Sequence, residues 1–186
     1  MIQTKAFNPE VLYPDEEWVI VSALDIDVLK QMAKANPRKR IRLCMHPNVE
    51  NALHEMLILH TPETYVRPHK HLNKSESLHV VEGHADVVFF DENGTIQKVV
   101  ALSPYAQRGH FYYRIEQPTY HMLVIYSEIF VFQEVTSGPF DATQTVFPSW
   151  APENNDLAGQ AIFLENLSEQ IRLFREKSTC QAKRIF

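Results

Sequence analysis

The sequence predicts a mainly β protein, an antiparallel sandwich or barrel with one helix before it and one after it. Three observations carry this. Short stretches between Arg40 and Val135 read as strands, several alternating apolar and polar residues. Turns, not helices, join those stretches. Helical spacing of apolar residues occurs only near the two ends of the chain.

The first helix is read from Ser22 to Asn36. Ser22 is a suitable N-cap, and Leu24, Val28, Met32 and Ala35 give an apolar stripe. Asn36-Pro37 ends it. The period then changes to two. Ile41, Leu43 and Met45 alternate with Arg42, Cys44 and His46, as in a strand. Leu53 to Thr61 is a second strand, and a third ends in Tyr65 to His71. Leu78 to Glu82 and Ala85 to Phe90 flank a tight turn at Gly83-His84. Asn93-Gly94 marks the next turn and Thr95 to Leu102 the next strand. Further strands are expected at Phe111 to Ile115, Tyr120 to Tyr126 and Ile129 to Val135. In the tail, Ala161, Leu164, Leu167, Ile171 and Phe174 predict an amphipathic helix over about 159–177, expected to cover one end of the barrel. One domain is expected: an extension and helix at 1–38, a barrel at 39–150 and a helical tail at 151–186.

Composition narrows the function classes. The 186 residues are 45% hydrophobic and 22% charged, which fits a globular chain and neither a disordered nor a fibrous one. Eighteen Lys and Arg against 23 Asp and Glu leave a net charge of −5, unsuited to phosphate-backbone binding, so no nucleic-acid partner is expected. No apolar run approaches the roughly 20 residues that span a bilayer, and the N-terminus does not read as a signal peptide. A soluble, cytoplasmic protein without a membrane partner is the expectation. Cys44 and Cys180 form no CxxC pattern and are expected to be free thiols.

Histidine is the unusual residue. Nine are present, and His60, His69, His71, His79 and His84 fall between positions 60 and 84. In a strand, residues i and i+2 share a side, so His69 and His71 offer two imidazoles to one metal. A short loop can bring the Glu76 carboxylate beside them, and Gly83 permits the turn that sends the chain back. His79 is one residue off the parity of Glu76, Leu78 and Val80 and is expected on the other side. His60, His84 and His110 lie near strand ends and are expected to be solvated.

From His69 to Gly83 the spacing resembles the first cupin motif, G-x5-H-x-H-x(3,4)-E-x6-G; Glu63 stands at the leading glycine. In the second motif His121 takes the histidine place, while Pro118 and Ile125 replace the glycine and asparagine. The resemblance implies a cupin jelly-roll barrel with a metal held by His69, His71, Glu76 and His121. A narrower likeness covers Arg40 to His46, His54 to Met56, Tyr65 to His71, Lys74 to Ser77, Phe111 to Arg114, Gly138 to Phe140 and Trp150 to Pro152. It is to the WbuC-type cupin-fold metalloproteins, known largely from bacterial polysaccharide gene clusters, which implies a carbohydrate or sugar nucleotide as ligand.

Three imidazoles and a carboxylate suit one divalent transition metal, iron, manganese, nickel, copper or zinc, and argue against calcium or magnesium. The first three metals would permit oxygen chemistry; zinc would suit isomerisation, epimerisation or hydrolysis. Arg42, His46, Tyr113, Arg114 and Glu134 are candidates to line the cavity. The polar side of the Arg40 to His46 strand meets either solvent or that cavity. The leading reading is a metal-dependent enzyme, an isomerase, epimerase or dioxygenase, acting on a small polar molecule that is anionic or sugar-like. The alternatives are a cupin that binds such a molecule without turnover and one whose metal is structural. A homodimer is compatible with the sequence.

Overall fold

A computed structural model describes residues 2–182, with side chains to residue 178. In chain order the elements are β1 (Thr4–Asn8), β2 (Val11–Pro14), α1 (Ala23–Ala35), β3 (Arg40–Cys44), β4 (Leu53–His60), β5 (Lys70–His71) and β6 (Glu76–Glu82). There follow β7 (Ala85–Phe90), β8 (Ile96–Leu102), β9 (Tyr112–Ile115), β10 (Tyr120–Ile125), β11 (Phe130–Ser137), β12 (Thr145–Val146) and α2 (Leu157–Ala182). One sheet runs β1-β2-β3-β4-β11-β6-β9. A second runs β10-β7-β8, and a two-stranded piece pairs β12 with β5. The backbones of His69 and His121 exchange hydrogen bonds of 3.2 and 3.0 Å, which joins β5 and β12 to the edge of the second sheet. The two sheets close into a jelly-roll barrel.

The barrel interior is built by register. Across β4, β11 and β6, Ile58 faces Phe132 and Phe132 faces Val80; Met56 faces Glu134 and Glu134 faces Leu78. Directly paired residues share a face, so these side chains all point inward. Phe130, Phe132, Leu78, Val80, Val87 and Leu102 form the core there. The β6–β7 turn is tight enough to require Gly83, whose φ is +88° and whose missing Cβ would stand 2.2 Å from the Ile129 carbonyl oxygen.

The other face of β3, β4 and β11 is equally apolar. Ile41, Leu43, Leu57, Leu59 and Val131 pack under α1 against Leu29 and Ala33. The helix begins where expected, with Ser22 as N-cap and a reciprocal capping box to Asp25. Its buried stripe is different. Asp25, Leu29 and Ala33 face the sheet, whereas Leu24, Val28 and Met32 are exposed. Two apolar stripes run along this helix. On the inward side the Asp25 carboxylate accepts from the amides of Ile2 and Ser22 at 2.7 and 2.8 Å. Ala33, fully buried, lets the helix sit close to the strands.

The N-terminal hairpin β1–β2 has no counterpart in the sequence reading. Its strands are short and proline-bounded, and β2 runs parallel to β3. The tail helix also differs from expectation: α2 covers the outer face of β7, β8 and β10 and not an end of the barrel. Leu167 and Ile171 meet Val88, Phe90 and Met122 there, with Leu164 and Phe174 partly buried and Ala161 exposed. Asp86, buried beneath the helix, accepts from Arg175 Nη2 and Tyr126 Oη, both at 2.6 Å. Cys44 is a free, buried thiol, and the Cys180 side chain lies outside the described residues. Among the described residues no helix is long and apolar enough to cross a membrane.

Two stability measurements follow from this packing. Leu29→Ala should cost about 2–4 kcal/mol in denaturant unfolding, and Leu24→Ala no more than about 0.5. The reverse order would put the other stripe of α1 against the sheet. Asp86→Ala should cost about 1–3 kcal/mol, because it leaves the Tyr126 hydroxyl without its acceptor and α2 without its ion pair. An unchanged unfolding midpoint would remove Asp86 as the anchor of α2.

Candidate metal centre

The site stands where the two sheets face each other. Glu76 begins β6 on the inward parity of Leu78 and Val80 and is buried. His69 and His121 are brought side by side by their backbone pairing, with ring centroids 4.7 Å apart. Ligand atoms of His69, Glu76 and His121 all lie within 4.8 Å of one another. His121 Nε2 is 3.3 Å from Glu76 Oε1, and His71 Nε2 is 3.3 Å from Glu76 Oε2. His71 approaches from the far side of the carboxylate, its ring 6.2 Å from that of His121.

The far side of each ring fixes its chemistry. His69 Nδ1 donates to the Arg67 carbonyl and His121 Nδ1 to the Thr119 carbonyl, both at 2.9 Å. A carbonyl only accepts, so a proton is assigned to Nδ1 of each ring, which leaves Nε2 as the atom free to ligate beside Glu76 when the ring is neutral. His71 Nδ1 lies 3.1 Å from the Thr145 hydroxyl on β12. Burial holds His69 down at about 3, so its ring is neutral at pH 7. Burial alone would raise Glu76, but His121, His71 and His69 outweigh it and keep the carboxylate ionised. For His121 burial acts downward and the adjacent Glu76 more than reverses it. Lone pairs and a carboxylate this close repel unless a cation or a proton lies among them. The donor set therefore fits a divalent transition metal.

A cavity of about 230 Å³ adjoins the cluster. Its wall carries His69, His71, Glu76 and His121, and also Arg40, Arg42, His60, Lys74, Tyr113 and Glu134. Of the five lining candidates, Arg42, Tyr113 and Glu134 stand on this wall. Arg114 does not: it pairs with Ser77 on the outward parity of β9, is exposed, and meets Glu116 at 3.3 Å. His46 lies past the end of β3, where it stacks on His54 at 4.1 Å and bonds the Glu55 backbone. The polar side of β3 thus faces the cavity, because the apolar side is taken by α1.

Arg40, Lys74 and His60 were not among the candidates. Arg40 shares the parity of Arg42, a signal available in the sequence. His60 is buried and not solvated, with its ring edge-on to Phe132 at 5.3 Å. It shares the inward parity of Met56 and Ile58. His79, His84 and His110 are exposed, as expected.

Comparison with known proteins gives the following. Residues 21–102 match a family described as a domain of unknown function, DUF6016. No curated protein matches. Among solved structures, oxalate decarboxylase from Lactobacillus farciminis is 17% identical, with a TM-score of 0.42 over 52% of this chain and 27% of that one. Procruciferin, an 11S globulin from Brassica napus, is 17% identical, with a TM-score of 0.42 over 68% and 25%. A protein from Shewanella oneidensis is 7% identical, with a TM-score of 0.45 over 53% and 63%. The chain thus spans about a quarter of the decarboxylase and globulin chains.

The buried His60 gives a pH test. Burial, reinforced by the charges of Arg40 and Arg42, holds it down at about 3. The unfolded chain titrates near about 6.5 and so binds the proton first. The stability this contributes is full above about pH 6.5 and is lost as pH falls toward 3, a few kcal/mol in all. His60→Gln should flatten the pH dependence of unfolding between about pH 6.5 and 4, measured in chelator so that metal release does not contribute. An identical slope in both proteins would show that His60 is not buried as a neutral ring.

Proposed function

We propose that this chain is a cupin metalloprotein acting on a small polar molecule, with His69, His71, Glu76 and His121 holding one divalent transition metal. The observation that carries the reading is the orientation of His69 and His121. Backbone carbonyls hold both Nδ1 protons and leave both Nε2 atoms to ligate beside an ionised, buried Glu76. A structural metal would be closed in by protein on every side. Here the donors border a cavity with room for about eight waters at roughly 30 Å³ each.

When bound, such a metal supplies Lewis-acid polarisation of an oxygen or activation of a water. The chain's own residues supply the rest. Arg42 and Tyr113 offer hydrogen-bond donors to the ligand from the facing wall. Glu134, pushed up by burial and by the neighbouring Glu76, can hold or release a proton near neutral pH. A movable proton beside a polarised oxygen supports isomerase or epimerase chemistry. The likeness to proteins of polysaccharide gene clusters supports a carbohydrate-derived ligand. The cavity has the size of a single sugar-like unit and does not enclose a whole sugar nucleotide.

Protein purified without added metal should carry about one transition-metal ion per chain by elemental analysis. Glu76→Gln and His121→Gln should each lower that occupancy at least tenfold. Because a ligating imidazole must be neutral, and Glu76 favours the protonated form of His121, occupancy should also fall on acidification. Folded wild-type protein that neither carries nor takes up metal would end this reading.

A further inference from the structure

The cavity has a second pole. Arg40 and Arg42 both project inward from β3, but their surroundings differ. Arg40 is neutralised by Glu10, with Nε to Oε2 at 2.7 Å. Arg42 has no carboxylate at ion-pair distance among the described residues, although Glu134 on the same wall is near enough to feel its charge. Among the described residues the Arg42 guanidinium forms no ion pair, and its side-chain polar contact is from Nη1 to the Met56 sulfur at 3.6 Å. Lys74 also borders the cavity with no ion pair, and no hydrogen bond of the Tyr113 hydroxyl is found among the described residues. All three side chains are half-buried.

A half-buried guanidinium without an anionic partner is left in a wall where its charge is only partly solvated, and an anion placed against it is favoured. The nearby Met56 sulfur is a weak acceptor and does not take the place of an anion. With a divalent cation at the His–Glu cluster, the metal, Arg42 and Lys74 outweigh the two carboxylates of the wall that no arginine or lysine pairs, Glu76 and Glu134. A neutral sugar would leave this excess of positive charge in place. An anion would cancel it.

We infer that the cavity takes a small oxyanion, a molecule carrying a carboxylate or phosphate group that is gripped by Arg42, with Lys74 and Tyr113 as further donors, opposite the His–Glu cluster. This rests on the metal reading above and names the ligand class of the same site. Arg42 presents the planar fork that pairs bidentately with carboxylate and phosphate. A cavity of about 230 Å³ suits a small ligand of this kind.

The test uses the metal-loaded full chain and three probes at constant ionic strength: malonate, inorganic phosphate and neutral malonamide. Affinity is read by calorimetric titration, and metal content is measured on every sample. At least one anion should bind saturably at one per chain, with malonamide at least tenfold weaker than malonate if malonate is that anion. Preference for malonate identifies a carboxylate ligand and preference for phosphate a phosphorylated one. Arg42→Gln should weaken the anion about ten- to a hundredfold at unchanged metal content. If neither anion binds wild-type protein saturably, or if Arg42→Gln binds as tightly as wild type, the assignment is overturned. Should Arg42→Gln not fold, Arg42→Lys is read instead: weaker binding at unchanged metal content supports the assignment, and equal affinity overturns it. Protein that takes up no metal overturns the metal reading, while its anion titration still decides the role of Arg42.

Discussion

The polar interior of this barrel depends on the apolar burial behind it. A strand offers two faces, and a sheet whose outer face is exposed must fill its inner face with hydrophobic side chains to be stable. Here α1 covers β3, β4 and β11 from outside, and α2 covers β7, β8 and β10. That outer burial leaves part of the inner face free to carry Arg40, Arg42, His60, Glu76, Glu134 and the paired histidines. The core proper is confined to the part of the interior around Phe130, Phe132 and Val80.

Within the site, Glu76 is the hub. It is buried, stays ionised, and lies 3.3 Å from an imidazole nitrogen on either side. Its position follows from the β6–β11 register, which sets it opposite Thr136 and sets Leu78 opposite Glu134. The histidines come from the other sheet. The carboxylate and the imidazoles therefore meet only because the barrel closes, and the His69–His121 backbone bridge sets their spacing. A one-residue slip in either sheet would turn these side chains to the outside.

The buried and half-buried charges of the barrel divide by partner. Arg40 is matched by Glu10, reached because β2 runs alongside β3; Asp86 is matched by Arg175 from α2. These pairs tie the terminal elements to the barrel. Arg42, Lys74 and Glu134 are left without ion pairs among the described residues, and all three border the same cavity. On the cavity wall Arg40 is satisfied by the fold, whereas Arg42, Lys74 and Glu134 collect where a ligand can reach them.

Local signals carried much of this. Alternation in β3 and β6, the Asn93-Gly94 turn and the Ser22 cap are properties of a few adjacent residues and can be read from them. The His69, His71 and Glu76 spacing is local in the same sense. What depends on contacts between distant segments could not be read. The stripe of α1 read from periodicity is exposed, and the buried one includes Asp25, whose carboxylate accepts from the distant Ile2 amide. Arg42 and Arg114 look alike in sequence, yet one lies on the inward parity of β3 and the other on the outward parity of β9. His60 reads as a strand-end residue until Phe132 and the two arginines surround it. The sequence by itself determined the alternating strands, the helix positions and the candidate donors, because those rest on short-range periodicity. Only the tertiary structure decided which face of each strand became the cavity, because that is set by which helix lands on the other face.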